Sequence, residues 1–223
     1  FHVRDNKKRH LEQRAKVALV NSITPFIDRM IHEVNRLSDG GESDEVRQER
    51  YQYIAELTDK INQYNNVLTE WIQMRQGSLS LRIESFPLQQ LFDIVSKGKM
   101  SFQMQGVKLD VESTDAVVKA DRILTLFMIN TIADNARKFT PEGGKVTISA
   151  KVSDFVEISI SDTGKGMDEE QLAHVFDRTY TGGHGFGLLN CKGIIEKYKK
   201  VSSLFAGCQI KAESKLGEGS RFS

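Results

Sequence analysis

Four short segments in the second half of the chain carry residue types that could do chemistry together. They are DNARKFTP (Asp134 to Pro141), SDTGKGM (Ser161 to Met167), GGHGFGLL (Gly182 to Leu189) and GEGSRF (Gly217 to Phe222). Asp162 ends a run that alternates like a strand, and its carboxylate can accept a hydrogen bond from an exocyclic amine, which suits it to adenine. Gly164 and Gly166 let the backbone approach a flat ring closely. Gly183, Gly185 and Gly187 place backbone N–H groups at the start of a helix, where phosphate oxygens are held favourably. His184 lies inside that loop and reads as a nucleotide-loop residue. Asn135 offers a neutral oxygen that fits Mg²⁺, a cation that takes few protein ligands and keeps its waters and phosphates. Lys138 follows on the same helical face, within reach of phosphates. Glycine clusters are usually turns, and one GxGxG alone is weak evidence for a nucleotide. What points to a site is their order on a helix, a strand end and a helix start. No GxxxxGK[ST] occurs, which excludes a P-loop.

The elements that must position these residues are legible in the hydrophobic spacing. "DRILTLFMINTIADNARKF" reads as a long amphipathic helix, and "KVTISAKV" and "VEISISDTG" as neighbouring strands. "LSLRIESF" and "VKLDVES" also alternate as strands do, so the chain from about Ser78 onward predicts a mixed α+β domain. The first part has a different period. Val20, Ile23, Ile27, Met30, Val34 and Leu37 form one helical stripe, and beyond "SDGGES" a second runs through Ile54, Leu57, Ile61, Tyr64, Leu68 and Trp71. This is an antiparallel helical hairpin, and its stripes predict a homodimeric four-helix bundle, with packing on the chain's own second domain as the other way to cover them. The expected domains are 1–77 and 78–223.

Composition narrows the classes further. The chain has 223 residues, 39% of them hydrophobic, with 31 basic and 30 acidic residues for a formal charge of +1. That balance gives no bulk attraction to nucleic acid or to a membrane surface. No run is apolar enough for a membrane span, and the first residues look like neither a signal peptide nor an initiator start, so a piece of a longer protein is expected. Cys191 and Cys208 have no metal-like spacing and read as reduced, structural thiols of a cytoplasmic protein.

In this order, the four segments resemble the N, G1, G2 and G3 boxes of the GHKL ATP-binding fold. The stretch "SFPLQQLF…DRILTLFMINTIADNARKFTPEGG…ISDTGKGM…VFDRTY…GHGFGLLNCKGIIE…ESKLGEGSRF" is similar to the catalytic domain of two-component sensor histidine kinases. The resemblance covers nearly everything from Leu79 to Ser223. It implies an α/β sandwich that binds ATP with Mg²⁺, a homodimer formed by the helical hairpin, and transfer of the γ-phosphate to a histidine and onward to an aspartate on a response-regulator receiver domain. Gyrase-type and Hsp90-type relatives place a Glu four residues before the Mg-binding Asn. Here that position is Thr131, which cannot act as a carboxylate base, so phosphotransfer is favoured over hydrolysis. The lid is shortened: "VFDRTYTGGHGFG" leaves almost nothing between Tyr180 and Gly182, and Thr179 replaces the usual second Phe. Such a lid should cover a triphosphate poorly. "KYKKVSSLFAGCQIKAES" is also longer than the turn expected there.

The phosphoacceptor is where the resemblance fails. The family's motif is of the type His-Glu-x-x-Thr-Pro, and aligning on Thr24-Pro25 puts Val20 at the histidine and Asn21 at the acid. Valine cannot accept a phosphoryl group. His32 followed by Glu33 copies the dipeptide, but it sits about 120° further round the helix, on the face expected to be solvated. His10 is a weaker candidate than His32, and His174 is expected to pack against or cap its short helix. Two readings stay open: an autokinase using His32, and a degenerate, dimeric ATP-binding signalling module without autophosphorylation.

Overall fold

A computed structural model of the chain describes residues 23–75, 81–177 and 186–223. The chain divides into two compact units, Phe1–Ser80 and Leu81–Ser223.

In the first unit, α1 (23–39) and α2 (Asp44–Arg75) form a hairpin, with Gly40 and Gly41 both at positive φ in the turn between them. Glycine takes that left-handed conformation without the penalty a Cβ would bring. The seam between the helices differs from the expected stripe. Its buried α2 residues are Arg50, Tyr53, Leu57, Lys60 and Tyr64, while Ile54 and Ile61 lie half-buried at its side. Leu68 and Trp71 belong to the expected stripe, but their side chains lie outside what the structure describes. Phe26 packs on Tyr64 with ring centroids 5.3 Å apart, and Arg29 donates to the Tyr53 hydroxyl at 2.9 Å. On α1 the expected stripe splits. Ile23 is buried, whereas Ile27 and Val34 are 43% and 45% exposed, and Ile31 beside them is 54% exposed. Val20 lies outside the described residues.

A buried ion triad closes the turn end of the hairpin. Arg50 meets Glu42 through two hydrogen bonds, Nε to Oε2 at 2.5 Å and Nη2 to Oε1 at 2.7 Å, and its Nη1 donates to Glu33. Glu33 is only 5% exposed. The hydrogen bond from Arg50 holds the Glu42 carboxyl below its usual range, and the two carboxylates hold the guanidinium above its own, Glu42 contributing most.

The second unit is a two-layer α/β structure. Its main sheet has five strands in the order β2 (Lys108–Val111), β4 (Lys145–Val152), β5 (Val156–Asp162), β7 (Gly219–Phe222), β6 (Ala212–Lys215). β2 runs parallel to β4, and the other neighbours are antiparallel. Strand alternation sends Val146, Ile148, Ile160 and Phe222 into the core. There they meet Phe92 and Val95 of α3 (Gln89–Lys97), Ile129, Ile132 and Ala136 of α5 (Arg122–Phe139), and Cys191 of α7 (Phe186–Val201). A separate ribbon pairs β1 (Ile83–Pro87) with β3 (Val117–Asp121), and the short helices α4 (Met100–Gln103) and α6 (Glu169–Ala173) complete the unit.

The expected strands and the long helix occur where the spacing put them. β3 escaped the sequence reading because its residue types, Val-Val-Lys-Ala-Asp, open on two apolar residues in a row, although its exposure alternates along the strand. The long segment after α7 contains a 3₁₀ turn, Ser203–Phe205, before β6. Both cysteines are free, and complete burial pushes the Cys191 thiol up to about 12.

Asp121 fixes the end of the sandwich far from the four segments. Its carboxylate caps α5 by accepting from the backbone N–H groups of Ile123 and Leu124 at 3.1 Å, and it also accepts from Arg82 N–H at 3.0 Å. Its own N–H donates to the Tyr198 hydroxyl of α7 at 2.6 Å.

Replacing Arg50 by alanine leaves Glu33 buried without its cation, and such a loss typically costs about 3 kcal/mol. The expected outcome is a lower urea midpoint for the hairpin transition followed by circular dichroism. A paired Arg50→Met, Glu33→Leu variant, which leaves only the part-exposed Glu42 with its remaining partner Arg36, should recover most of the loss.

Candidate functional site

Asp162 is the last residue of β5, at the mid-sheet position that brings a strand end to the C-terminal turn of α5. Its side chain is 8% exposed. Oδ1 accepts from Gly164 N–H at 2.8 Å, and the Ser220 backbone N–H also donates to the carboxylate. Burial raises its proton affinity above the usual carboxylate value, and the two backbone donors only partly offset this. A partly desolvated carboxylate with lone pairs to spare can accept from a ligand N–H with little competition from water.

The loop that follows is held on two sides by backbone. On one side, Lys165 N–H donates to the Phe139 carbonyl at 3.3 Å, and a Cβ on Gly164 would stand 2.5 Å from that same oxygen. On the other, Gly217 N–H donates to the Lys165 carbonyl at 2.7 Å and Met167 N–H to Ser214 Oγ at 2.8 Å. Gly166 has φ +65°, and a Cβ there would collide with the Lys215 carbonyl oxygen. Gly219, at φ +96°, lies equally close to the Asp162 carbonyl. Ser214 Oγ donates to the Gly219 carbonyl at 2.8 Å and meets Ser220 Oγ at 2.9 Å. Gly217 and Gly219, from the fourth segment, thus support the Asp162 loop from behind.

On α5, Asn135 is half-buried and Lys138 is exposed. Gly187, in the first turn of α7, sits directly on this helix: a Cβ added there would be 2.7 Å from Thr131 Cγ2 and 4.0 Å from Asn135 Nδ2. Lack of a side chain at Gly187 is what lets α7 close on Thr131, with Asn135 one helical turn further along α5. Thr131 Oγ1 and Asn190 Nδ2, on these same two helices, are buried without hydrogen-bond partners. The Lys138 ammonium lies 5.3 Å from the centroid of the Phe139 ring.

The structure therefore gathers Asn135, Lys138, Asp162, Gly164, Gly166 and Gly187 around the C-terminal half of α5. Gly183, His184 and Gly185, with the shortened lid, lie outside the described residues. His32 is an exposed residue of α1, in the other unit. Glu33 beside it points inward to Arg50. His174 caps α6, as its position suggested, with Nδ1 3.0 Å from Asp177. No cluster of three His, Cys, Asp or Glu able to hold a metal occurs among the described residues. A cation here would be held by Asn135 and by oxygens of the ligand, which suits Mg²⁺. Sequence reasoning missed Ser214, Ser220 and Lys165, whose types are unremarkable until the β6–β7 turn is seen folded behind the loop.

A strand-end carboxylate, a glycine-rich loop clamped by backbone, and a helix start seated on α5 near Asn135 thus occur together in the second unit. Residues 120–223 match the family described as histidine kinase-, DNA gyrase B-, and HSP90-like ATPase, and the second unit belongs to that family. Within it the similarity runs to sensor histidine kinases of two-component signal transduction. The chain is 30% identical over 175 residues to the sensor protein DivL of Caulobacter vibrioides, a match covering 75% of this chain and 22% of that protein. It is 29% identical over 197 residues to the sensor protein SrrB of Staphylococcus aureus, covering 81% of this chain and 32% of SrrB. The chain thus spans between a fifth and a third of these relatives. Among solved structures, the histidine kinase AdeS of Acinetobacter baumannii shares the fold at a TM-score of 0.55 and 20% identity, over 91% of this chain and 94% of AdeS. Full-length ShkA, solved in complex with AMPPNP, shares it at 0.58 and 21%, over 97% of this chain and 44% of ShkA.

Asp162→Asn should raise the thermal midpoint at neutral pH, because the folded state no longer buries a charge whose proton affinity is raised. The gain should shrink as pH falls through the Asp162 value, where the wild-type carboxyl takes up its proton. Differential scanning fluorimetry of both proteins across pH 4 to 8 checks this.

Proposed function

We propose that the chain is a histidine-kinase core whose second domain, 78–223, binds ATP with Mg²⁺ and transfers the γ-phosphate to a histidine, from which it passes to an aspartate on a response-regulator receiver domain. The observation that supports the reading is the close seating of Gly187 on Thr131, one helical turn from Asn135 on the same helix whose C-terminal end meets the loop after the buried Asp162 carboxylate. That arrangement puts an adenine-reading acceptor at one end and an asparagine under a helix N-terminus at the other, with Lys138 between solvent and the phosphates. Mg²⁺ supplies charge neutralisation for the triphosphate. Asp162 orients the base, Gly164 and Gly166 admit it, and Asn135 and the first N–H groups of α7 hold the phosphate end, with Gly183, His184 and Gly185 completing the loop. Thr131 supplies no carboxylate to activate water, which favours transfer over hydrolysis.

A second reading, an ATP-binding signalling module without autophosphorylation, draws support from one observation. Glu33, the acid that would assist His32, is committed to Arg50. With Val20 in the usual acceptor register, His32 is left without a neighbouring base. Incubation with γ-labelled ATP and analysis of acid-labile label decides between them. Label on the wild type that disappears in His32→Gln supports the autokinase on His32. Label surviving in the variant removes His32 as the acceptor. Absence of label, with nucleotide binding retained, establishes the second reading.

The unit at 1–77 is the dimerisation hairpin in this proposal. Ile27, Ile31 and Val34 are spaced like one helical face and are uncovered within the hairpin. A second copy burying them would complete a four-helix bundle. Ile31→Asp should shift the chain from dimer toward monomer in sedimentation velocity without loss of helical signal. Among the described residues no helix is long and apolar enough to cross a membrane. We assign the unit and its partner to the cytoplasm.

A further inference from the structure

The loop between β5 and α6 carries a charge that the functional reading so far leaves unused. Lys165 stands between the two buried glycines Gly164 and Gly166 and is itself exposed. Its ammonium lies 5.1 Å from the centroid of the Phe139 ring, and that of Lys138 lies 5.3 Å from the same centroid. Phe139 is 46% exposed at the end of α5. Two cations therefore converge on one solvent-facing aromatic ring, within about one Debye length of each other at ordinary ionic strength. Some lysines of this unit are tied to carboxylates, as Lys145 is to Asp110 at 2.9 Å and Lys199 to Glu196 at 2.8 Å. No carboxylate pairs with Lys138 or Lys165 among the described residues.

The backbone fixes this placement. Lys165 N–H is bound to the Phe139 carbonyl, its own carbonyl receives Gly217 N–H, and the flanking glycines have no room for a side chain. The lysine side chain leaves the loop at a set point and leans on the ring, a contact that partly orders a long side chain before any ligand arrives. Like charges held this close without a counter-ion raise the local potential, and an anion with several charges relieves both at once.

We infer that Lys165 is a second phosphate-binding cation of this site, acting with Lys138 to make it selective for nucleotides that carry a polyphosphate chain. The inference rests on the nucleotide reading above. It gives the shortened lid a counterpart: cations on the α5 and β5 side of the site supply hold on the phosphates that a long lid would otherwise contribute.

The test is equilibrium binding of ADP, AMP and adenosine to the full chain at low and high salt, for wild type, Lys165→Met and Lys165→Arg, each with its melting curve measured. Lys165→Met should weaken ADP binding roughly tenfold, the loss expected for one charge-assisted contact. Adenosine affinity should stay within about twofold, since no charged contact is removed from it. The salt dependence of ADP binding should flatten in Lys165→Met and persist in Lys165→Arg. Equal losses for ADP and adenosine, or unchanged ADP affinity at every salt concentration, would overturn the inference while leaving the nucleotide site standing. A folded wild-type chain that binds none of the three would overturn the nucleotide reading and this inference with it.

Discussion

Contact of backbone against backbone holds the candidate site together. The loop after β5 lies between the last carbonyl of α5 and the β6–β7 turn, at distances that leave no space for a Cβ at Gly164, Gly166 or Gly219. Side chains would have kept these elements apart by several ångströms. Because they are absent, Asp162 is buried by main chain and receives two main-chain donors, which makes its environment depend on fold geometry and not on rotamers. Seating Gly187 against Thr131 follows the same rule on the opposite side of α5. The site is a set of close approaches around one helix.

The other end of that helix is fixed by a different kind of interaction. Asp121 caps α5, receives the chain as it enters the unit at Arg82, and is bound by Tyr198 from the last turns of α7. Burial holds the Tyr198 phenol up to about 12, so it stays neutral and keeps this hydrogen-bonding role throughout the range in which proteins work. α5 and α7 are therefore pinned together by polar contacts at one end and meet through a glycine at the other. Thr131 Oγ1, at the glycine contact, and Asn190 Nδ2, three residues further along α7, are buried without hydrogen-bond partners.

How far the chain could be read before folding follows from what each residue type signals. Glycine-rich boxes announced themselves because glycine is demanded where backbones touch, and Asp162 because a carboxylate at a strand end is unusual. β4, β5 and α5 were legible because one face of each is buried, which imposes a period. Ser214, Ser220 and Lys165 were not, since serine and lysine are common on surfaces and their significance comes from a turn that folds behind the loop. In the hairpin, periodicity alone could not separate residues facing the partner helix from residues facing outward. Arg50 and Lys60 occupy seam positions that a hydrophobic count passes over, and Ile27 and Val34 satisfy the count while remaining uncovered. His32 and Glu33 copy the His-acid dipeptide in sequence, but adjacency in sequence does not set where each side chain faces. On a helix, neighbours point about 100° apart, and here one faces water while the other faces Arg50.

Cys191 sits at the junction of all this, wholly enclosed in the core beside the sheet, with its thiol held far from ionisation. Cys208, half-buried past the end of α7, is the more accessible of the two. Since only the thiolate reacts with alkylating reagents, the pair forms an internal clock with two hands. Cys208 reports on the native surface, and Cys191 reacts only in those moments when α7 lifts from the sheet, so its labelling rate counts how often the layer that carries Gly187 comes undone.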